Sequence, residues 1–549
     1  VRRLFAILLM ALTASANEVS YRSLQSPDHA TPLHDRGLHG EGQIIAILDT
    51  GLDYRSCYFA EPDGSPPPIN TGSPGRGLDW ENVDLTRRKV VAYDFLYSCD
   101  EYPGARGCED PAREADYDNT DHGTHAAGAA AGDKGAPIAH DFGDAVATGA
   151  KLVIQDGGFI GGDTCAHRPG FGCPVNLTPI LRQAWLQGAR IHSNSWGDRQ
   201  GTPPGMNPPT ANYPQSARDV DAFVYEHPDM LVVFNTGNFG SNGAPPASTL
   251  SAPGSAKNTL QVGGTRGYAN RGDQTLAGYS LIGPTRDGRI KPDVVGPAYV
   301  RAADAKFLRD VECDITDQGG TSWASPSIAG AAALVRQYYL EGFYPAGARG
   351  GTPIAPSAAL LKATIIASAR PAVNRTFASG PDMAAQPVPS HEQGFGFPVL
   401  DDALYFGGDR TRLRVADVAD DQGLAEGGQA ALTLNVRSGS RLRAVLVWTD
   451  PPGVVRPVSD PTPQLVNDLD LRVTSPGGDV LFGNESLHPR EADRHNNVEV
   501  VTVETPATGT YSVTISAARL GFGLRQGYAL VVTGDFEERK PTRIRAVRR

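Results

Sequence analysis

Four side chains of different chemistry each stand close to glycine in this chain: Asp49 in "IIAILDTGLD", His122 in "DHGTHAAGAAAG", Asn238 in "LVVFNTGNFG" and Ser322 in "QGGTSWASPSIAGAAALVRQ". Together these types can do nucleophilic chemistry. A serine attacks a carbonyl when a histidine takes its proton, and a carboxylate keeps that histidine in the right tautomer. An amide N–H can then hold the oxyanion that forms. Each residue also has a plainer use. Ser322 suits the N-cap of the helical pattern that runs through Ala329, Ala332, Leu334 and Val335, with Pro326 tolerable near a first turn. Asp49 and Asn238 suit turns, and His122 with His125 forms an H-x-x-H pair that lacks a nearby third metal ligand. Singly, the plainer uses suffice. In the order Asp, His, Asn, Ser, each at a strand end or helix start, they make one joint signal.

The elements that must position them follow from the apolar runs. Strands are expected at Ile44–Leu48, Lys151–Gln155, Arg190–Ser193, Met230–Phe234 and Thr259–Val262. Helices are expected at Asp121–Ala131, Leu177–Gly188, Ser216–His227 and Ser322–Tyr339. Near-continuous apolar strands alternating with helices predict an α/β fold, a mainly parallel sheet with helices on both faces. Ligands of such sheets bind beyond the carboxyl ends of the strands, where Asp49 and Asn238 stand. After about Phe406 short alternating runs take over: Ala430–Val436, Leu442–Trp448, Leu469–Val473, Val498–Val503, Tyr511–Ile515 and Tyr528–Val532. These predict an all-β sandwich or jelly roll. The expected division is a signal peptide over 1–16, a catalytic domain over 17–408 and a β-sandwich domain over 409–549.

Composition narrows the class. With 549 residues the chain exceeds one ordinary domain, and 40% hydrophobic residues allow a large core. A net charge of −11 argues against a nucleic-acid partner. Arg2 and Arg3, the apolar run Leu4–Leu12 and the small residues Ala14-Ser15-Ala16 read as a secretory signal, so the expected location is extracellular. No apolar run is long enough to span a membrane, and a monomer is expected. Six cysteines suit an oxidising compartment; Cys99 with Cys108 and Cys165 with Cys173 would close short loops and Cys57 with Cys313 a long one, one of the fifteen pairings between which sequence does not choose.

The segments "DTGLD", "DHGTHAAG", "NTGNFG" and "GGTSWASP", with "YSLIGPTRDGRIKPDVVGPA" between the last two, resemble the motifs of the subtilisin-like serine proteases over residues 38–406. That resemblance implies Ser322 as nucleophile, His122 as general base and then acid, Asp49 as its orienting carboxylate, and the Asn238 amide with the Ser322 backbone N–H as oxyanion hole. "SNSWG" is similar to the family's substrate-lining strand, so Ser195, Trp196 and Gly197 are implied to pair with a peptide substrate beside the pocket for its side chain.

Two departures from the family pattern stand out. The separation of 73 positions from Asp49 to His122 is longer than in compact members, and this excess contains Cys57, Cys99 and Cys108. Only Asn17 to Asp49 lies between the signal and the first motif, too short for the family's folding propeptide, which implies an incomplete start or folding help of another kind. The tail segments "LRAVLVWTDPPG" and "LVNDLDLRVTSPGG" resemble the sandwich that follows the catalytic domain in larger bacterial subtilases. No cofactor is expected for catalysis. Structural calcium is, with Asn467, Asp468, Asp470, Asp493, Asn496 and Asn497 as candidate oxygen donors that could equally be turn residues. The reading is therefore a secreted serine endopeptidase. Its rivals are a binding or adhesion protein on the same scaffold, and an esterase, which the absence of G-x-S-x-G at Ser322 opposes.

Overall fold

A computed structural model describes residues 21–547 except 29, 71–79, 97–117, 119–120, 136–139, 158–176, 198–211, 240–244, 246, 267–274, 306–312, 377–382, 457–459, 488 and 538–544. The signal-like segment and Cys99, Cys108, Cys165 and Cys173 lie outside the described residues.

Strands rich in Ile, Val and Leu pack into one large sheet because both of their faces are covered. In chain order they are β1 (Ile44–Asp49), β2 (Ile69–Asn70), β3 (Val90–Phe95), β4 (Lys151–Asp156), β5 (Ile191–Asn194), β6 (Leu231–Asn235), β7 (Leu260–Thr265), β8 (Thr275–Ala277) and β9 (Val294–Pro297). Two short strands, β13 (Asn374–Thr376) and β14 (Met383–Ala384), extend the edge, so the order is β14-β13-β8-β7-β6-β5-β1-β4-β3-β2, with β9 also on β7. The central pairs are parallel: β1 lies between β4 and β5, with Asp49 opposite Asp156 and Leu48 opposite Asn194. The hairpin of β10 (Tyr299–Ala303) and β11 (Ile315–Gly319) leads into the longest helix, and β12 (Ala369–Arg370) pairs with β15 (Phe397–Pro398). The helices are α1 (His122–Ala131), α2 (Leu177–Leu186), α3 (Gln215–Glu226), α4 (Thr321–Leu340) and α5 (Ala358–Ala367). The expected α/β arrangement is thus observed, with the ends of the expected elements moved by up to three residues.

From Arg412 onward every strand pair is antiparallel. One sheet orders β16 (Arg412–Val418), β23 (Tyr528–Gly534), β18 (Leu442–Val447) and β21 (Val498–Val503). The other orders β20 (Val480–Phe482), β19 (Asn467–Thr474), β22 (Gly509–Leu520), β17 (Gln429–Val436) and β24 (Arg545–Val547). Leu432, Leu446, Trp448, Leu471, Val513 and Leu530 fill the space between these two sheets. The opposite face of the first sheet is not solvated. Val445, Val447, Val498, Val500, Ala529 and Val531 join the core of the α/β part, where α5 packs on β18 and β23.

This junction also buries charge. Lys257 Nζ meets Asp450 with both side chains fully buried, and its remaining protons reach the carbonyls of Pro451 (2.6 Å) and Gln464 (2.9 Å). Asn258 pairs with the Asp450 backbone through both halves of its amide, each at 2.9 Å. Arg443 crosses the same junction to the carbonyls of Ala369 and Phe395, and burial lowers its pKa to about 9. A second tie joins distant parts of the α/β unit: Cys57 and Cys313 form a disulfide, their Cα atoms 5.1 Å apart.

A buried ion pair is most damaging when half of it is removed. Lys257→Ala should lower unfolding free energy by about 3–5 kcal/mol, because Asp450 keeps its burial and loses its counter-charge. The double change Lys257→Met/Asp450→Leu should cost clearly less; denaturant titration of the three proteins checks both statements.

Candidate active site

Asp49 ends β1 and is 2% exposed. Its Oδ1 accepts hydrogen bonds from the Thr50 backbone N–H at 2.8 Å and from His122 Nδ1 at 2.7 Å. The second contact places the Nδ1 proton on the side of the carboxylate and leaves Nε2 to act as a base. His122 keeps 30% of its side chain exposed, so the working edge of the ring is reachable.

What brings the two together is a close backbone approach. Gly51 sits at φ 109°, a left-handed conformation that disfavours side chains. A Cβ on Gly123 would fall 2.1 Å from the Gly51 carbonyl oxygen, so only glycine lets the first turn of α1 rest on the loop after β1. The orphan donors of that turn are met from afar. Gly123 N–H donates to Thr50 Oγ1 (2.9 Å), Thr124 N–H to Asp118 Oδ2 (2.7 Å), and Thr50 Oγ1 to Asp118 Oδ1 (2.9 Å). Asp118 is buried, which raises its pKa. In sequence it is one of several acidic residues just before His122, with nothing to mark it for this role.

Ser322 does not cap its helix. The N-cap is Gly320, with no side-chain bond, and Ser322 is the second helical residue, 8% exposed. Its Oγ donates to the Ser195 carbonyl at 3.2 Å, while Ser195 Oγ donates to the Ser322 carbonyl at 2.6 Å. Pro326 explains the second bond: lacking an N–H, it leaves the carbonyl four residues earlier without its helical donor, and Ser195 supplies one. Ser325 Oγ adds a bond to the Asn194 carbonyl at 3.3 Å, so the end of β5 is laced to the first turn of α4.

Asn238 is oriented by the residue before Ser322. Its Oδ1 accepts from Thr321 N–H (2.9 Å) and Thr321 Oγ1 (3.0 Å), which turns Nδ2 toward Gly320. A second amide, from Asn235 at the end of β6, faces the serine: its Nδ2 is 3.5 Å from Ser322 Oγ. The sequence reading passed over it, because a polar residue closing an apolar strand resembles the start of a turn.

Trp196 packs edge-on against Phe234, with centroids 5.4 Å apart. Gly197 is required by Ser251, whose Oγ would lie 2.4 Å from a Cβ there. His125 takes no part with His122 in a metal pair. It is fully buried, its Nε2 contacts the Val300 carbonyl at 3.1 Å, and burial lowers its pKa to about 3.

The calcium candidates are already engaged. Arg494 Nη1 lies between Asp468 Oδ2 (2.8 Å) and Asp470 Oδ1 (2.7 Å), where a cation would have to sit. Asp493 is occupied by the backbone N–H groups of His495 and Asn496 and by the side-chain amides of Asn484 and Asn496. Asn467 is spent on Phe522 and Gln526, and Asn497 on Asn258 and Trp448. This donor set does not fit a calcium ion, and among the described residues no cluster of three His, Cys, Asp or Glu has the makings of a metal site.

With that geometry described, comparison with known proteins gives the class. The chain belongs to the subtilase family, whose sequence pattern matches residues 40–396. The serine protease/ABC transporter B family protein tagD of Dictyostelium discoideum is 24% identical over 95% of this chain and 33% of its own length. The extracellular basic protease of Dichelobacter nodosus is 25% identical over 78% of this chain and 66% of its own. The crystal structure of the Aeromonas sobria serine protease aligns at 14% identity and TM-score 0.38, covering 95% of this chain and 94% of that one. The chain spans about a third of the length of the Dictyostelium relative.

One more acidic residue directly precedes His122 in the chain. Asp121, at φ 61°, accepts from the Ala305 N–H (2.5 Å) and Gln318 Nε2 (2.7 Å), bracing the start of α1 against the β10–β11 hairpin. Burial, with Asp304 hydrogen-bonded to it, raises its pKa to about 8. Protonation is therefore favoured by folding, and this group's contribution to stability falls as pH rises from about 4 to about 8, then levels off. Asp121→Asn should flatten the dependence of Tm on pH over that window, which calorimetry at fixed ionic strength will show.

Proposed function

We propose that this subtilase is a secreted endopeptidase that hydrolyses peptide bonds through Asp49, His122 and Ser322, with Asn238 and the Ser322 N–H as oxyanion hole. The observation that carries the reading is the 2.7 Å contact between His122 Nδ1 and a carboxylate only 2% exposed, at the start of the helix that faces α4. The peptide lies along the end of β5, and its N–H pairs with the Ser195 carbonyl. That pairing takes the acceptor now used by the Ser322 hydroxyl, which turns toward His122.

His122 Nε2 then accepts the Oγ proton as Oγ bonds to the scissile carbonyl carbon, and the carbonyl electrons move onto oxygen. Asn238 Nδ2 and the Ser322 N–H donate to that oxygen. Collapse expels the amine, which leaves with the proton from His122, and an acyl ester remains on Ser322. Water repeats the sequence: it loses a proton to His122 and attacks the ester, and Oγ regains that proton as the acid departs. Asp49 stays ionised throughout and steadies the imidazolium. Secretion rests on the signal-like residues 1–16; the Dichelobacter nodosus relative is named as extracellular. Among the described residues no helix is long and apolar enough to cross a membrane.

Ser322→Ala should lower kcat by several orders of magnitude, and adding His122→Ala should lower it little further, since the two act as a unit. Asn238→Leu should cost roughly 10²–10³ in kcat with KM nearly unchanged, the size that loss of one oxyanion donor has in a subtilisin. Casein or a peptide library with mass-spectrometric readout measures all three. Near wild-type peptidase activity in folded Ser322→Ala would sink the mechanism.

A further inference from the structure

Asn235 is a buried polar residue that the steps above leave unused. It closes β6 directly after the apolar Leu231–Phe234 and is 3% exposed. Nothing about packing there calls for an amide. Its Oδ1 is buried with no hydrogen-bond partner, a state that usually costs about 1–3 kcal/mol. A residue serving only to fill space would avoid that loss by being apolar, as the preceding strand residues are.

The other half of the amide explains the choice. The Ser322 hydroxyl proton is already given to the Ser195 carbonyl, so the atom that faces Oγ across 3.5 Å has to be a donor, and Nδ2 is that atom. At this length, with a neutral hydroxyl as acceptor, the contact is weak. It gains strength when the acceptor becomes charged, because charge-assisted hydrogen bonds shorten and are roughly twice as strong. Oγ carries negative charge twice in the proposed cycle. It does so first as its proton passes to His122, and again when the ester bond breaks and Oγ departs from the acyl carbon with the bonding pair, before taking a proton back. Asn238 and the Ser322 N–H serve the carbonyl oxygen, a different atom.

We propose that Asn235 is a further catalytic residue, its Nδ2–H stabilising the negative charge that develops on Ser322 Oγ itself. This role rests on the serine-protease reading above. It makes the two asparagines chemically distinct, one for each oxygen that becomes anionic.

The test compares Asn235→Ala and Asn235→Asp, with Tm of each to establish folding. Two rates are read: fluorophosphonate labelling of Ser322, which requires attack by Oγ but no peptide contacts, and kcat on a peptide substrate. Asn235→Ala should slow both by about tenfold with KM within twofold of wild type, a smaller loss than for a full oxyanion donor because the resting contact is long. Asn235→Asp, of the same shape but with a carboxylate facing Oγ, should slow both by about a hundredfold or more. The order Asp below Ala below Asn is the signature; a packing role predicts the near-isosteric Asp to be the milder change. Should Asn235→Ala fail to fold, the Asp variant, being closest in shape, carries the comparison. Labelling and kcat within twofold of wild type in the folded variants, or a loss confined to KM, would overturn the proposal. A wild-type chain that neither labels at Ser322 nor hydrolyses peptide overturns the protease reading and this role together, so the two failures are told apart.

Discussion

The contact between the Gly51 carbonyl and the first turn of α1 is the constraint from which the rest of the site follows. An aspartate at the end of a central strand is fixed in space by its neighbours, Asp156 opposite it on β4 and Asn194 of β5 opposite the preceding Leu48. A histidine can meet it at 2.7 Å only if its helix rests backbone to backbone on the loop leaving that strand, and a single methyl group on Gly123 would forbid this. Once the helix is there, its open N–H groups face protein and not water, and Thr50 and Asp118 answer them. The glycines beside the two chemical residues in the sequence are therefore conditions of the chemistry.

The serine side is built on the same logic with different parts. Small residues bring α4 against the ends of β5 and β6, and hydroxyl groups replace the backbone bonds that a proline removes. The result is a serine on a locally rewired helix turn, its hydroxyl held by the Ser195 carbonyl. The face of the β16-β23-β18-β21 sheet that is turned from the other sandwich sheet is buried against α5. The sandwich is joined to the α/β unit by a shared apolar core and by charges that have no other place to go.

Sequence alone made the scaffold legible because strands buried on both faces leave continuous apolar runs, and β1, β4, β5 and β6 were found within a residue or two on that ground. It also singled out Asp49, His122, Asn238 and Ser322, since each is a polar residue at an element end beside glycine. Contacts between distant polar residues were not legible. Asp118, Asp121 and Asn235 look like ordinary turn residues until folding surrounds them. The acidic stretch around Asp468 illustrates a different limit. Counting oxygens suggested a cation, whereas the fold brings Arg494 between the same carboxylates. Composition reveals how much charge a segment holds, but the identity of its counter-charge depends on tertiary placement.

On the peptidase function proposed above, the disulfide between Cys57 and Cys313 gains a further meaning. The segments carrying Asp49 and Ser322 lie on opposite sides of the bridged interval, and His122 lies inside it. Any single scission between positions 57 and 313, including one made by a second copy of the same enzyme, leaves both products covalently joined. The proposed activity would expose the chain to cleavage by its own copies. Here a nick in that long interval converts one strand of polypeptide into a tethered pair, and integrity of the assembly no longer requires integrity of the chain.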